Sequence, residues 1–286
     1  MPELPEVETV VQYLRPQLVG RKLNGITLGR HRLRSPWKPA WDTEILGKTI
    51  EAVERRGKWI LLQLSREGEA PAEPQTTRND SSHLVVHLGM TGRLLVTPAK
   101  DPQALHTHFV FPLDQGRDEL RYHDPRRFGS VTWAKTHDTH RFPQEAELGP
   151  EPFSLKPNDF HAALSNSSRC LKAILLDQTI VAGVGNIYAD ESLHRAKLLP
   201  TRSGRSLSTA ESKKLCQAIV AVLTKAIERK GSTISSFYFG DGESGNFQNE
   251  FNAYDRADEP CKRCKTPMVG IRLAGRTTTY CPVCQV

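Results

Sequence analysis

Two places along this 286-residue chain carry residue types that can do chemistry by themselves. The first is the opening stretch Pro2-Glu3-Leu4-Pro5-Glu6-Val7-Glu8-Thr9. Loss of Met1 would leave Pro2 with a free secondary amine. An α-amine titrates near pKa ~8, so roughly a tenth of it is neutral at pH 7, against well under about a thousandth of a lysine. Such an amine is a ready nucleophile for a carbonyl-like carbon, with carboxylates following in the chain to act as acid or base. The same residues also read as a plain helix start, with Pro5 in the first turn and Glu3, Glu6 and Glu8 favouring the positive end of the helix dipole. On these residues alone both readings stand.

The second place is the C-terminal tail, where Cys261-x-x-Cys264 and Cys281-x-x-Cys284 are separated by 16 residues. That is the spacing of a four-cysteine zinc ribbon. Four thiolates fill a tetrahedral Zn2+ and leave no open position for water, so the expected metal is structural. Six Lys/Arg stand against three acids from Phe251 to Val286, which suits contact with phosphate or a ribbon that binds protein. Cys170 and Cys216, among apolar helical residues, read as packed thiols.

Lys and Arg outnumber Asp and Glu by 39 to 32, a net charge of +7 with a pI of about 9.1. The balance fits a nucleic-acid partner without demanding one. No basic leader opens the chain, and no run approaches the roughly 20 apolar residues of a membrane span. The expectation is a soluble, cytoplasmic protein with no membrane partner.

The elements that must position these residues follow from periodicity. Val7, Val10, Val11, Leu14 and Leu18 mark an amphipathic helix ending near Gly20. Short apolar runs then predict strands at Trp59–Leu64, Leu84–Leu88, Arg93–Thr97, His108–Phe111, Glu119–Tyr122 and Ser130–Trp133, as in an antiparallel sandwich or barrel. The stretch from Arg66 to Ser82 reads as a long exposed loop. A proline-rich link from Phe142 to Pro157 leads into helices expected at Pro157–Leu164, Cys170–Asp177, Asn186–Lys197 and Ser208–Lys230, the last with a Ser208-x-x-Glu211 capping box. Val181-Ala182-Gly183-Val184-Gly185-Asn186 is a glycine turn into an expected Asn cap. It reads as a connector or as a phosphate-holding helix start. A polar loop runs from Gly240 to Asn246.

These stretches, with Arg55-Arg56-Gly57-Lys58, His87-Leu88-Gly89-Met90, Asp124-Pro125-Arg126-Arg127-Phe128-Gly129 and Gly185-Asn186-Ile187-Tyr188-Ala189-Asp190-Glu191, share one order. In that order the chain closely resembles the bacterial formamidopyrimidine-DNA glycosylases over nearly its whole length. The resemblance implies an α+β multidomain fold. An N-terminal antiparallel β-sandwich with a flanking helix (1–135) and a linker (136–156) precede a helix-two-turn-helix DNA-binding domain (157–250) and a zinc finger (251–286), with DNA in a cleft between the halves.

The resemblance also implies roles. Pro2 would attack C1′ of the damaged nucleoside and Glu3 would act as acid/base beside it, while Glu6 supports the turn. Lys58, which otherwise reads as a surface lysine before a strand, would donate a proton in β-elimination, and Arg276 would hold a phosphate and assist δ-elimination. Asn186 would hold a neighbouring phosphate, and His106 and Arg126 match DNA-contacting positions. Arg126 would pair with the orphaned base, with Met90 and Phe128 wedged into the stack. Without the family both of these would pass for core residues. The loop from Gly240 to Asn249 resembles a lesion-covering loop. The chain departs from the family in the insertion at Arg66–Ser82 and in Ser167-Ser168-Arg169, where relatives carry lysines, so phosphate contacts there are in doubt. The expected partner is duplex DNA bearing oxidised purines or abasic sites, met by a monomer. An endonuclease VIII-like enzyme for oxidised pyrimidines and a non-catalytic damaged-DNA-binding zinc protein are the alternatives. Leu4 and the Met90, Arg126, Phe128 set favour the purine branch, and Pro2, Glu3 and Lys58 together disfavour a pure binder.

Overall fold

The computed structural model describes residues 1–65, 81–136, 140–233, 238–240 and 242–286. Most of the long loop expected at Arg66–Ser82 therefore lies outside the described residues, although Ser82 itself opens a strand. The chain divides into two compact units. One comprises Met1–Pro2, Glu6–Ala146 and Ile234–Ser244; the other comprises Glu3–Pro5, Glu147–Thr233 and Gly245–Val286. No described helix is long and apolar enough to cross a membrane.

In chain order the helices are α1 (Leu4–Leu18), α2 (Trp41–Ile45), α3 (Pro157–Ser165), α4 (Leu171–Leu176), α5 (Asn186–Ala196) and α6 (Thr209–Glu228). The strands are β1 (Thr27–Leu28), β2 (Ile50–Arg56), β3 (Trp59–Leu64), β4 (Ser82–His87), β5 (Arg93–Pro98), β6 (Thr107–Leu113), β7 (Asp118–His123), β8 (Ser130–Lys135), β9 (Val269–Leu273) and β10 (Arg276–Tyr280).

The first unit is the expected antiparallel sandwich. One sheet has the order β1-β6-β7-β5 and the other β2-β3-β4-β8. The central registers put apolar residues opposite one another, as where Leu62 pairs with Leu84 and Leu84 with Trp133. Val7, Val10, Val11, Leu14 and Leu18 of α1 join Ile60, Leu62, Val86, Phe109, Phe111 and Leu120 in one core. Burial at about 25 cal/mol per Å² of apolar surface makes this stripe the reason α1 is a helix here, because few isolated 15-residue helices persist in water. Gly20, at φ +87°, ends the run.

The second unit is helical and carries the ribbon. Its core gathers Leu4 with Phe160, Leu164, Ile174, Val184, Tyr188, Leu215, Ile219 and Leu223. The capping box of α6 is complete: Ser208 Oγ accepts from Glu211 N, and the Glu211 carboxylate accepts from Ser208 N at 2.9 Å. Strands β9 and β10 form an antiparallel hairpin whose tip, Ala274 (φ 49°) and Gly275 (φ 73°), has both central residues left-handed. That is the two-residue turn whose twist matches the flanking strands. Two details differ from expectation. Gly185, not Asn186, caps α5, and Asn186 is its first helical residue. Cys216 is buried as expected, whereas Cys170 is only half-buried, at the cap of α4.

Candidate active site and metal centre

In the second unit the glycine turn is a cradle for a carboxylate. Glu3 is 2 % exposed; its Oε2 accepts from Gly185 N at 2.7 Å and Tyr188 N at 3.4 Å, and its Oε1 accepts from Ile187 N at 2.9 Å. The N–H groups at the start of α5, with the positive end of its dipole, thus hold an internal anion. Leu4 N donates to Gly183 O at 3.0 Å. A Cβ on Gly185 would lie 2.4 Å from Glu3 Cδ, and one on Gly183, at φ +87°, 2.6 Å from Leu4 Cδ1. Both glycines are needed for the chain start to seat. The backbone donors expected to hold a phosphate are therefore occupied by Glu3.

Behind this cradle lies a buried ion pair. Lys172 Nζ donates to Asp190 Oδ1 at 2.5 Å and to the Asn186 carbonyl at 2.9 Å, and both side chains are at most 1 % exposed. Burial pushes Asp190 up to about 6, opposed by Lys172, and pushes Lys172 down, opposed by Asp190 and Glu3. The two acceptors tie Lys172 to the first turns of α5. Asp190 Oδ2 also accepts from Thr279 N at 3.1 Å, while Asn186 Nδ2 donates to Thr277 O at 3.0 Å. These bonds lash β10 to α5 just beyond Arg276, which is exposed at the start of the strand. Glu191, next in the helix, accepts from the backbone N–H groups of Asn252, Ala253 and Tyr254, tying the ribbon's lead-in to the same element. Arg169 pairs with Asp177 at 2.8 Å.

In the first unit Lys58 sits in the two-residue turn between β2 and β3, after Gly57 at φ 57°. It is 8 % exposed, so it is not the surface lysine its position suggests. Arg55 shapes the turn, donating to Gly57 O at 3.0 Å and to Glu8 Oε2 at 2.9 Å. Burial, and then the Lys58 charge, lower His87 to about 4. The neutral His87 ring accepts from Gly89 N through Nδ1 at 3.1 Å.

Gly89 leads into Met90, and its place is tight: at φ +61°, a Cβ would lie 2.5 Å from Gly129 N. The turn of Met90 thus rests directly on the turn of Phe128. Asp124, fully buried, joins the two. Its Oδ1 accepts from Thr91 Oγ1 at 2.6 Å and its Oδ2 from Gly129 N at 2.9 Å. Met90 and Phe128 are 37 % and 49 % exposed, and the Arg126 guanidinium lies 4.7 Å over the Phe128 ring. Neither is the core residue that hydrophobicity alone suggests. His106, at φ 71°, accepts from Asp124 N at 3.1 Å through its carbonyl. Pro2 is buried in the same unit.

The structure thus brings Met90, His106, Arg126 and Phe128 together on one hydrogen-bonded hub. It also brings Glu3, Asn186 and Arg276 onto α5 and the strand lashed to it. Sequence reasoning missed Asp124, Lys172 and Asp190 as the groups that hold them. Their signal was weak: a carboxylate inside a motif read for its arginines, and a helical lysine fourteen residues before Asn186.

The sulfurs of Cys261, Cys264, Cys281 and Cys284 lie within 4.8 Å of one another, with 3.4 Å between Cys264 and Cys281. Tetrahedral zinc with bonds of about 2.3 Å sets its sulfurs about 3.8 Å apart, so the quartet fits the ion.

Residues 1–131 match the formamidopyrimidine-DNA glycosylase N-terminal domain, 148–238 the formamidopyrimidine-DNA glycosylase H2TH domain, and 258–286 the zinc finger found in FPG and IleRS. The chain is 41 % identical over 289 residues to the formamidopyrimidine-DNA glycosylase of Geobacillus kaustophilus, covering all of both chains. Among solved structures it is similar to the MutM (Fpg) protein of Thermus thermophilus, with a TM-score of 0.83, 41 % identity and 99 % and 98 % of the two chains covered. It is also similar to the Lactococcus lactis Fpg in complex with abasic-site DNA, with a TM-score of 0.83, 32 % identity and 99 % of each chain covered. The tail accordingly holds one structural zinc ion, and with all three of its segments accounted for, the chain belongs to the formamidopyrimidine-DNA glycosylase family.

Proposed function

We propose that this DNA-repair glycosylase removes oxidised purines, 8-oxoguanine and formamidopyrimidines, from duplex DNA through Pro2 and then nicks the strand by β,δ-elimination. After loss of Met1, the Pro2 nitrogen attacks C1′, the damaged base leaves with the electrons of the glycosidic bond, and an iminium joins Pro2 to the opened sugar. Glu3 serves as the acid/base for this exchange. Lys58 donates a proton in β-elimination, and Arg276 holds the phosphate and assists δ-elimination. Met90 and Phe128 wedge into the stack, offsetting part of the few kcal/mol needed to extrude a nucleotide. Arg126 faces the orphaned base, while His106 and the Asn186 side chain contact the backbone. The enzyme acts as a cytoplasmic monomer, with its catalytic sandwich in residues 1–135, a linker over 136–156, its helical DNA-binding part in 157–250 and the zinc finger in 251–286.

The observation that carries this reading is the Glu3 cradle. A carboxylate one residue from the chain start is 2 % exposed and held by three backbone N–H groups, a costly arrangement for a residue that merely begins a helix. Borohydride should trap the protein covalently on a duplex carrying 8-oxoguanine, and a blocked N-terminus or a retained Met1 should abolish trapping. Undiminished trapping by protein whose Met1 is shown intact would falsify the Pro2 assignment.

A further inference from the structure

His108, on β6, has no part in the chemistry above and is 3 % exposed. Its Nδ1 lies 2.9 Å from the carbonyl oxygen of His31, and its Nε2 lies 2.9 Å from the carbonyl oxygen of Asp124. Carbonyl oxygens only accept hydrogen bonds, so each contact calls for an N–H on the ring. A neutral imidazole has one N–H and one lone pair; only the imidazolium has two. The neutral ring would aim its lone pair at one of two carbonyl oxygens 2.9 Å away, that of Asp124 fully buried and that of His31 partly so, and a buried acceptor left unpaired is expensive.

The two carbonyls belong to different parts of the unit. Asp124 O stands at the base of the 124–129 turn that carries Arg126 and Phe128, and Asp124 N is already bound to His106 O. His31 O lies in the loop after β1, where Gly29 N donates to His108 O at 2.9 Å. The charged and titratable groups of this neighbourhood are His123, lowered by burial and by the charges of Arg93, His106 and His108, the Asp124 carboxylate with Tyr122 donating to it, and Arg30 and His31, which line one cavity with His108. The Asp124 carboxylate, buried and fixed by Thr91, Gly129 and Tyr122, is the anion nearest in sequence to the carbonyl that the ring binds.

We infer that His108 is held as an imidazolium and is a positioning residue for the wedge: a cationic double donor that pins the 124–129 turn and the loop at His31 to one strand. This rests on the proposed wedge role of Arg126 and Phe128. Its consequence is selective. Setting the turn matters most when a stacked base must be extruded, and less when the base is already gone.

The test uses the full-length zinc-loaded enzyme, with Met1 removed, on two duplexes, one with 8-oxoguanine opposite cytosine and one with a preformed abasic site. His108→Leu should lower kcat/KM on the lesion duplex about tenfold more than on the abasic duplex. His108→Gln, which keeps one nitrogen donor, should recover part of that difference. In the wild type at pH 7, ¹⁵N spectra assigned by the His108→Gln difference should show a proton on both ring nitrogens. An equal loss on both duplexes, or one unprotonated His108 nitrogen, overturns the inference. If the wild type releases no oxidised purine, it is the functional reading that fails, and the spectrum still decides the protonation state. If His108→Leu does not fold, His108→Gln and the wild-type spectrum carry the decision.

Discussion

The sandwich and the cysteine ribbon are both antiparallel β structure, yet they hold their shape by different means. The sandwich draws side chains from two four-stranded sheets and a helix into one core. The ribbon is a single hairpin whose own core is Ala253, Cys261, Met268 and Cys281, with Cys264 and Cys284 against it. A lone two-stranded hairpin is marginal in water, so here zinc supplies what apolar area cannot. The side chains proposed to act on DNA divide the same way. Met90, Arg126 and Phe128 stand on a hydrogen-bonded hub over a preformed core, whereas Arg276 is placed by a metal clip and by bonds from Asn186 and Asp190.

Zinc removal should break the comparison most widely open. Structural zinc contributes on the order of 10 kcal/mol to such folds. A strong chelator, or Cys281→Ser, should therefore unfold residues 258–286 while the sandwich keeps its amide protection. Hydrogen exchange reads both regions at once, and retained protection at Arg276–Tyr280 without metal would show that the ribbon stands on its own.

Breaking the buried pair gives a smaller effect. Lys172→Met leaves Asp190 a buried, uncompensated carboxylate and should cost about 3–5 kcal/mol, most of it recovered in the Lys172→Met, Asp190→Leu double variant. Urea unfolding gives these values. Strand-nicking by the double variant should nevertheless stay low, because Thr279 N loses its acceptor. Full nicking would mean that the ribbon needs only its metal.

The smallest effect is a control outside both regions. Ser208→Ala removes the cap of α6 and should cost about 1 kcal/mol. Its partner Glu211 is held down to about 2 by the Arg202 guanidinium and the Ser208 backbone. The folded value is below the ordinary 4.5, so its stabilisation is full above pH 4.5 and is lost as pH falls towards 2. With solvent screening that loss is about 1 kcal/mol. An acid titration of stability should show it in the wild type and not in Glu211→Gln.

Much of this was legible in the chain. Strands β3 to β8, helix α1, the α6 capping box and the metal quartet all lie where period and spacing put them, because each signal is local. Strand β2 was missed for a physical reason. A register shift between Ile50 and Ala52 sets its buried residues, Ile50 and Val53, three apart, so the alternation of two disappears. Strand β1 is only two residues long. The site divides in the same way. Lys58 and Phe128 were named through the family, but their burial and exposure were not readable from neighbours in sequence. The partners of Glu3 lie more than 180 residues along the chain. Nor does any pattern announce that Asp124 and His108 are tethers rather than surface groups. The glycine turn was legible as an anion holder, and only the fold shows that its anion is Glu3.

The tip of the ribbon sets a limit on how this family member can change. Arg276 is the first residue after a two-residue turn and pairs directly with Leu273. Side chains alternate along a strand, so one residue inserted at Ala274-Gly275 and absorbed as a slip in pairing would turn Arg276 to the opposite face of the hairpin. Chain length at this point is thus as constrained as residue identity. A library of insertions should tolerate additions in many surface turns of the sandwich and lose strand-nicking at this one, even where zinc still binds.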